Sequence, residues 1–538
     1  MPVSPGERSD GAGAVWTDEQ RRELGHERPS SAGGKTASER RSAANHPALH
    51  DLGVIIETLD KAGQLIRVRS EVDPEHQLAS VASHFEGRAQ AVLFENVRGH
   101  EHPVFTGLYW SRELLAELIG AKEKQLASHI AGKVGQWQDD PFHKNVEPQV
   151  VETGPVREVT QRTVDLSALP IPTHAERDGG PYIDAGVVVV TDPETGVRNA
   201  SIQRFMVVDR NTLHINIDAG RHLQMALEHA DKRDETLKFS LNIGVGPGLH
   251  FAAVTPAEAA PPDTDELGIA SVFHGEPVEL VRGDLRGVEM VAHAMYSLEC
   301  EIVPGEVGDE GPFAEVTGYY ARVDKRPVVH VRAIHHRANP VFQTIICGKE
   351  VWNSAGVLGE ASVLSSLKKQ VPGVTDVYFP HGGCGFYHAV VQIAQKRAGW
   401  AQLAVMSAFA AFPPLKMVTV VDDDVDIRNA SDVEWALTTR LDPTTGVITI
   451  PAVFGHGLNP TFPDYFGAKI GFNATHPFPK TYGYERVRLK EFGIDGLDIH
   501  VPEPVEQSVV DKWASAERAE NSTTSPGSAA KPTSGAIM

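Results

Sequence analysis

Between Val150 and about Ile346 the apolar residues come in short β-rich runs separated by turns: Gly186-Val187-Val188-Val189-Val190, Leu213 to Ile217, Lys238 to Ile243 and Val328 to Ile334. A helical pattern, notably Gln224 to Asp231, intervenes. This spacing predicts a mostly antiparallel barrel or sandwich. From about Gly356 to Phe472 the period changes. Ala361 to Gln370 reads as helix, Val374 to Phe379 as strand, His388 to Lys396 as helix and Lys416 to Val421 as a buried strand. Ser431-Asp432-Val433-Glu434 reads as a capping box opening a helix through Trp435 and Leu437. That alternation predicts an α/β domain with a largely parallel sheet. Upstream, Leu49 to about Glu147 mixes a helix from Asp51 to Leu59, a strand at Ala91 to Phe94 and a helix capped by Ser111. The fold class is therefore multi-domain α/β, with a small N-terminal α/β domain, a central β domain and a C-terminal α/β domain. A chain of 538 residues is too long for one core.

Both ends lack an apolar period: Met1 to about His46 and Ala516 to Met538 are expected to be disordered. A formal charge of −21 repels phosphate backbones and anionic membranes, which argues against nucleic-acid binding. Three cysteines, Cys300, Cys347 and Cys384, include no close pair, so neither a zinc cluster nor a disulfide framework is expected. The most apolar stretch, Trp400 to Val421, is interrupted by Pro413-Pro414 and cannot span a bilayer. A soluble, cytoplasmic protein is expected.

The stretch with most chemical promise is Glu310-Gly311-Pro312-Phe313-Ala314-Glu315-Val316-Thr317-Gly318-Tyr319-Tyr320. Carboxylates five residues apart face one pocket only across a bend, and Gly-Pro supplies one. Two acids at one site let one hold a proton near neutrality while the other stays ionised. A surface turn with two solvated acids is the competing reading. Asn199-Ala200-Ser201-Ile202-Gln203-Arg204 reads alone as a hairpin arm, and Gly220-Arg221-His222 as a helix start that suits a phosphate or simply carries a surface histidine. Asn242 to Gly248 is glycine-rich but not a dinucleotide fingerprint; a loop between strands is expected. Asp422-Asp423-Asp424-Val425-Asp426 offers hard oxygen ligands for Mg²⁺ or Mn²⁺, although closing a strand and leading into a capped helix is the preferred account. Cys384 has no neighbouring base, and neither a nucleophile elbow nor a P-loop is present.

Taken in order, Asn199 to Arg204, Gly220 to His222, Leu267 to Ala270 leading to Gly275-Glu276-Pro277-Val278-Glu279, Glu310 to Tyr320, Val421 to Asp426 and Trp435 to Arg440 resemble the UbiD family of prenylated-FMN-dependent decarboxylases. The resemblance runs from about Leu49 to Pro502. It implies a disordered extension over 1–46, an N-terminal α/β domain over 47–149, a split β-barrel binding prenylated FMN over 150–350, a C-terminal α/β oligomerisation domain over 351–502, and a helix and disordered tail over 503–538. It further implies that Asn199, His222 and Glu276 ligate Mn²⁺ bridging to the flavin phosphate, with K⁺ held by carbonyls near Ala252 to Thr255. Ile202, Gln203, Arg204, Arg221 and His222 would contact the cofactor.

By the same resemblance Arg204, Glu310 and Glu315 form the catalytic network: Arg204 holds Glu310 ionised and Glu315 delivers the proton after CO₂ leaves. The expected substrate is an aromatic, heteroaromatic or α,β-unsaturated acid, fused-ring phenazine or indole carboxylates included. Its pocket would be walled by Phe342 to Ile346 and Phe454 to Gly457. A flavin prenyltransferase would supply the cofactor, and a homodimer or higher homo-oligomer is expected. The alternatives are a divalent-metal hydrolase or phosphotransferase on Asp422 to Asp426, and a non-catalytic flavin-binding subunit.

Overall fold

The computed structural model describes residues 49–140, 146–218, 220–261, 264–481, 483–487 and 498. The expected extension over 1–46 and the helix and tail over 503–538 lie outside the described residues. The chain divides into two compact units, Met1–Thr481 and Tyr482–Met538. No helix among the described residues is long and apolar enough to cross a membrane.

The β-rich middle closes on itself. Tyr296–Ile302 pairs with Leu237–Ile243, which pairs with Tyr182–Thr191, then Arg198–Val207, Thr212–Ile215 and Asp324–His336, which returns to Tyr296–Ile302. Every step is antiparallel. Closure removes the sheet edges that such a β-rich sequence would otherwise expose. Val187 to Val190 are all buried, so this strand is covered on both faces. The helix His222–Lys232 packs against it and against Arg198–Val207 and Leu237–Ile243, turning Leu223, Ala226, Leu227 and Ala230 inward. Each such valine contributes roughly 1.5–3 kcal/mol relative to its exposed state.

Before the barrel, Leu65–Val68, Ala91–Phe94 and Val104–Thr106 form a small sheet, completed by Phe342–Gln343 from beyond the barrel. The helix Leu52–Lys61 that packs with it is capped by Asp51, whose Oδ1 accepts from Gly53 N at 2.8 Å. The expected Ser111 cap forms as well, Oγ accepting from Leu114 N.

After the barrel comes a 22-residue helix, Lys349–Gln370, and then a sheet ordered Val374–Tyr378, His388–Ile393, Met417–Asp422, Phe466–Ala474, Val447–Phe454. Its three central strands run parallel, with an antiparallel strand at each edge. Two expectations fail here. His388–Ile393 is a strand rather than a helix, with Ala389, Val390, Val391 and Ile393 buried beside Met417–Asp422. The helix Ala430–Arg440 is capped by Asn429, two residues before the expected Ser431, because the Asn429 side chain accepts from Ser431 N. The Asn242–Gly248 segment is not a free loop either: it ends one strand and enters the helix Pro247–Ala253, with Pro247 in the first turn.

Candidate active site

The strand Arg198–Val207 carries two groups of functional side chains five residues apart, about 17 Å along its length. At one end, Asn199 Nδ2 donates to Glu266 Oε1 at 2.8 Å, and His222 Nδ1 lies 2.8 Å from the same oxygen and 3.3 Å from Asn199 Nδ2. Asn199 Oδ1 is sealed from solvent and has no hydrogen-bond partner. An amide oxygen, an imidazole nitrogen and a carboxylate so grouped, with one oxygen left unsatisfied, fit a hard divalent cation.

Glu276 does not join them. It lies just past the helix Leu267–His274, and its carboxylate meets His50 Nδ1 at 3.1 Å in a separate cavity shared with His274, Glu279 and His293. The acid that meets Asn199 and His222 is Glu266, at the opposite end of that helix, about 12 Å away. Its neighbour Asp265 is raised to about 6 by burial and is held by Arg198 Nε at 2.8 Å. The available signal was Asp265-Glu266 immediately ahead of an apolar helix, where an acid also makes ordinary sense as an N-terminal charge.

Around this group opens a cleft of about 230 Å³. Ile202, Gln203, Arg221 and His222 line it, joined by Ala253, Val254 and Thr255 on one side and Phe386 and His456 on the other. Arg221 occupies the N-cap position of the helix His222–Lys232, so a guanidinium and free helical N–H groups share that rim. Of the expected pocket walls, His456 reaches this cleft, while Phe342 is fully buried.

At the other end of the strand, Arg204 meets both acids of the bent loop. Its Nε donates to Glu310 Oε1 at 3.0 Å and its Nη2 to Glu310 Oε2 at 3.1 Å, a two-pronged pairing. Its Nη1 pairs with Glu315 Oε1. Glu310 is fully buried and Glu315 is 9% exposed, so the solvated-turn reading of this loop does not hold. Gly311 takes φ +99°, a conformation that a side chain would strain, and Pro312 follows. The strand Phe313–Ala314 then pairs back on Tyr320–Ala321, and Glu315 sits at the turn between them.

Glu315 also lines a second cavity, of about 560 Å³, walled by His76, Ala79, His174, Tyr319, Tyr320 and Ile346 among others. Behind it, His174 Nδ1 lies 3.2 Å from Asp184 Oδ2, and Thr344 Oγ1 bonds to both His174 and Asp184. Burial lowers His174 to about 4 and raises Asp184 to about 7. Sequence reasoning did not single out either residue.

The aspartate run is committed to structure. Asp422 Oδ2 accepts from Arg440 Nη1 at 2.8 Å and from His476 N at 2.8 Å, and Asp424 takes both prongs of Arg440. With the oxygens of Asp422 and Asp424 engaged by a cation from the chain itself, the hydrolase built on Asp422 to Asp426 is left with the exposed Asp423 and Asp426, which does not favour it.

Three profiles of one family match the chain in order: the 3-octaprenyl-4-hydroxybenzoate carboxy-lyase N-terminal domain over 56–134, the Rift-related domain over 149–350 and the C-terminal domain over 353–474. A protein from Rhodospirillum rubrum, encoded in the region 5′ of cooM, is 63% identical over 461 residues, 86% of this chain and 99% of its own length. Anhydromevalonate phosphate decarboxylase of Methanothermobacter thermautotrophicus is 34% identical over 437 residues, 80% of this chain and 99% of its own. Among solved structures, the UbiD-class enzyme HmfF of Pelotomaculum thermopropionicum in complex with FMN superposes with a TM-score of 0.77 at 35% identity, covering 82% of this chain and 97% of that one. An evolved dimeric form of the same enzyme, in complex with prFMN, superposes at 0.74.

Proposed function

Because the chain belongs to the UbiD family of carboxy-lyases, we propose that it removes CO₂ without oxidation, and reversibly, from an aromatic, heteroaromatic or α,β-unsaturated carboxylic acid, phenazine and indole carboxylates among the candidates, using prenylated FMN and Glu315 as proton donor. The observation that carries this reading is Arg204 shared between two buried glutamates on one bent loop, at the mouth of a cavity. Flavin use is supported by the FMN and prFMN complexes of HmfF, and decarboxylation by the methanogen relative.

Bound in the cleft, the prenylated flavin supplies the electron sink that loss of CO₂ from an sp² carbon requires. The chain supplies the rest. Asn199, His222 and Glu266 would hold Mn²⁺, and Arg221 with the helix N-terminus would face the phosphate. The backbone of Ala252 to Thr255, whose last three residues line the cleft, would hold K⁺. Arg204 satisfies both oxygens of Glu310, and Tyr182 Oη adds a third donor to it at 3.1 Å. Glu310 thus takes three donors and Glu315 the single contact from Arg204 Nη1, and the transferable proton is assigned to Glu315. Glu315 is also the acid that fronts the 560 Å³ cavity, where the carbon that has lost CO₂ would wait. In the reverse direction Glu315 accepts the proton. The complete acid network favours a catalytic chain over a flavin-binding accessory subunit, and a homodimer or larger assembly is part of the same proposal.

The test is co-expression with a flavin prenyltransferase, followed by CO₂ release from a panel of aryl and α,β-unsaturated acids. Glu315→Gln should lose at least about 100-fold in turnover while keeping the flavin absorbance. Undiminished turnover in that variant would put the proton donor elsewhere.

A further inference from the structure

The acid loop pairs with itself through Phe313–Ala314 and Tyr320–Ala321, and a second segment, 175–182, braces it. Asp178 is the hub of that segment. Its Oδ1 accepts from Ala314 N at 2.8 Å, one residue before Glu315, and its Oδ2 accepts from Ala175 N at 2.8 Å, tying the loop to its own turn. Gly179 N donates to Pro312 O at 2.7 Å. Tyr182 reaches the other acid, donating to Glu310 Oε1 while its ring packs 4.3 Å from that of Phe313. The Arg204 guanidinium carbon in turn lies over the Phe313 ring, 5.1 Å from the ring centroid. From outside, Trp352 Nε1 donates to Val316 O at 3.0 Å.

From these contacts we infer that Asp178 and Tyr182 are positioning residues for the acid pair: Asp178 fixes where Glu315 stands, and Tyr182 fixes how Glu310 is turned toward Arg204. The inference rests on the decarboxylase reading for its kinetic consequence, not for its structural one. Both hydrogen bonds end on carboxylate oxygens, acceptors that make some of the stronger ones in a protein. A displaced acid loses rate steeply because proton delivery needs hydrogen-bond reach to the reacting carbon. Neither side chain lines the cleft or the cavity that Glu315 fronts, so each acts through the glutamate it holds.

The test pairs a structural readout with a kinetic one, on full-length protein co-expressed with a flavin prenyltransferase. Amide hydrogen exchange is followed over the peptide carrying residues 310–320. In Asp178→Ala that peptide should exchange at least about 10-fold faster, kcat should fall about 10- to 100-fold, and KM and bound flavin should stay near wild type. Asp178→Asn keeps a carbonyl acceptor for Ala314 N but loses the acceptor for Ala175 N, and should recover part of the rate. Tyr182→Phe keeps the ring against Phe313 and should lower kcat about 10-fold without speeding exchange of the loop. Wild-type exchange and wild-type kcat in Asp178→Ala would overturn the role of Asp178; an unchanged kcat in Tyr182→Phe would overturn that of Tyr182. A rate loss matched by flavin loss would make the segment a cofactor support instead. Should no acid be turned over by the parent protein, the decarboxylase reading fails, and the exchange data still decide whether Asp178 clamps the loop.

Discussion

One carboxylate distinguishes two accounts of how this chain would hold a cation. Glu266 shares its Oε1 with Asn199 and His222, whereas Glu276 is 60% exposed and pairs with His50. Losing even an outer-shell partner costs a metal site about 10- to 100-fold in affinity, so losing a direct ligand should cost no less. Glu266→Gln is therefore expected to lose bound Mn²⁺ and with it the phosphate anchorage of the flavin. Glu276→Gln should keep both, and metal content by mass spectrometry alongside flavin absorbance reads the difference. Equal metal loss in the two variants would restore Glu276 to the ligand set. Asn199, His222, Arg204, Glu310 and Glu315 were singled out by the resemblance of ordered short motifs to the UbiD family; read alone, those motifs are a hairpin arm, a helix start and a surface turn. Glu266 was not singled out, because an acid ahead of an apolar helix already has a sufficient local explanation.

The loop from Glu310 to Tyr320 shows what sequence conveys about an element and what it withholds. Gly311-Pro312 announces the bend because only particular residues tolerate it. The partner of that bend lies 136 residues away in sequence, at Asp178 and Ala314, and no local period records such a contact. Gly179 is a case in point: a Cβ there would stand 2.5 Å from the carbonyl oxygen of Gly311. Gly179→Ala should push the two backbones apart, costing about 1–3 kcal/mol in urea unfolding and at least about 10-fold in kcat. Unaltered stability and rate would mean the two backbones need not approach so closely. The misreading of His388–Ile393 has a different cause. A short run buried on both faces carries neither helical nor strand period, and only its neighbours Val374–Tyr378 and Met417–Asp422 decide it.

Across the whole molecule the architecture was legible where the hydrophobic period changes, at the entry to the barrel and again beyond it; the residues alone left barrel and sandwich open and the family resemblance decided for the barrel, because closure is made by pairing Tyr296–Ile302 with Asp324–His336. Burial of histidines outside the barrel strands has a consequence for pH that the motifs do not carry. Burial pushes His250 and His274 down to about 3 and His174, His381 and His388 down to about 4, so the fold keeps these rings neutral. An unfolded histidine titrates near 6.5, so between about pH 6.5 and 4 the unfolded chain binds more protons than the folded one. Stability from these groups is complete above pH 6.5 and is lost as pH falls toward 4. Buried Asp184 and Glu350, raised to about 7, and Asp265, raised to about 6, work in the opposite sense, losing stability as pH rises from about 4 to 7, and they partly offset the five rings. His250 offers the cleanest test. It is 1% exposed, stacks on Tyr109 at 4.1 Å, and its Nε2 has no partner. His250→Phe keeps the stacking and removes both the titration and the unsatisfied nitrogen. It should raise Tm at pH 7.5, consistent with about 1–3 kcal/mol for one orphaned buried group. Between pH 7.5 and 5 it should also lose about 2 kcal/mol less than the wild type, each pH unit below 6.5 being worth about 1.4 kcal/mol for a ring that stays neutral in the fold. Parallel Tm-against-pH curves for the two proteins would show that His250 is protonated in the native state or reached by water, and that the acid sensitivity of this fold originates in other groups.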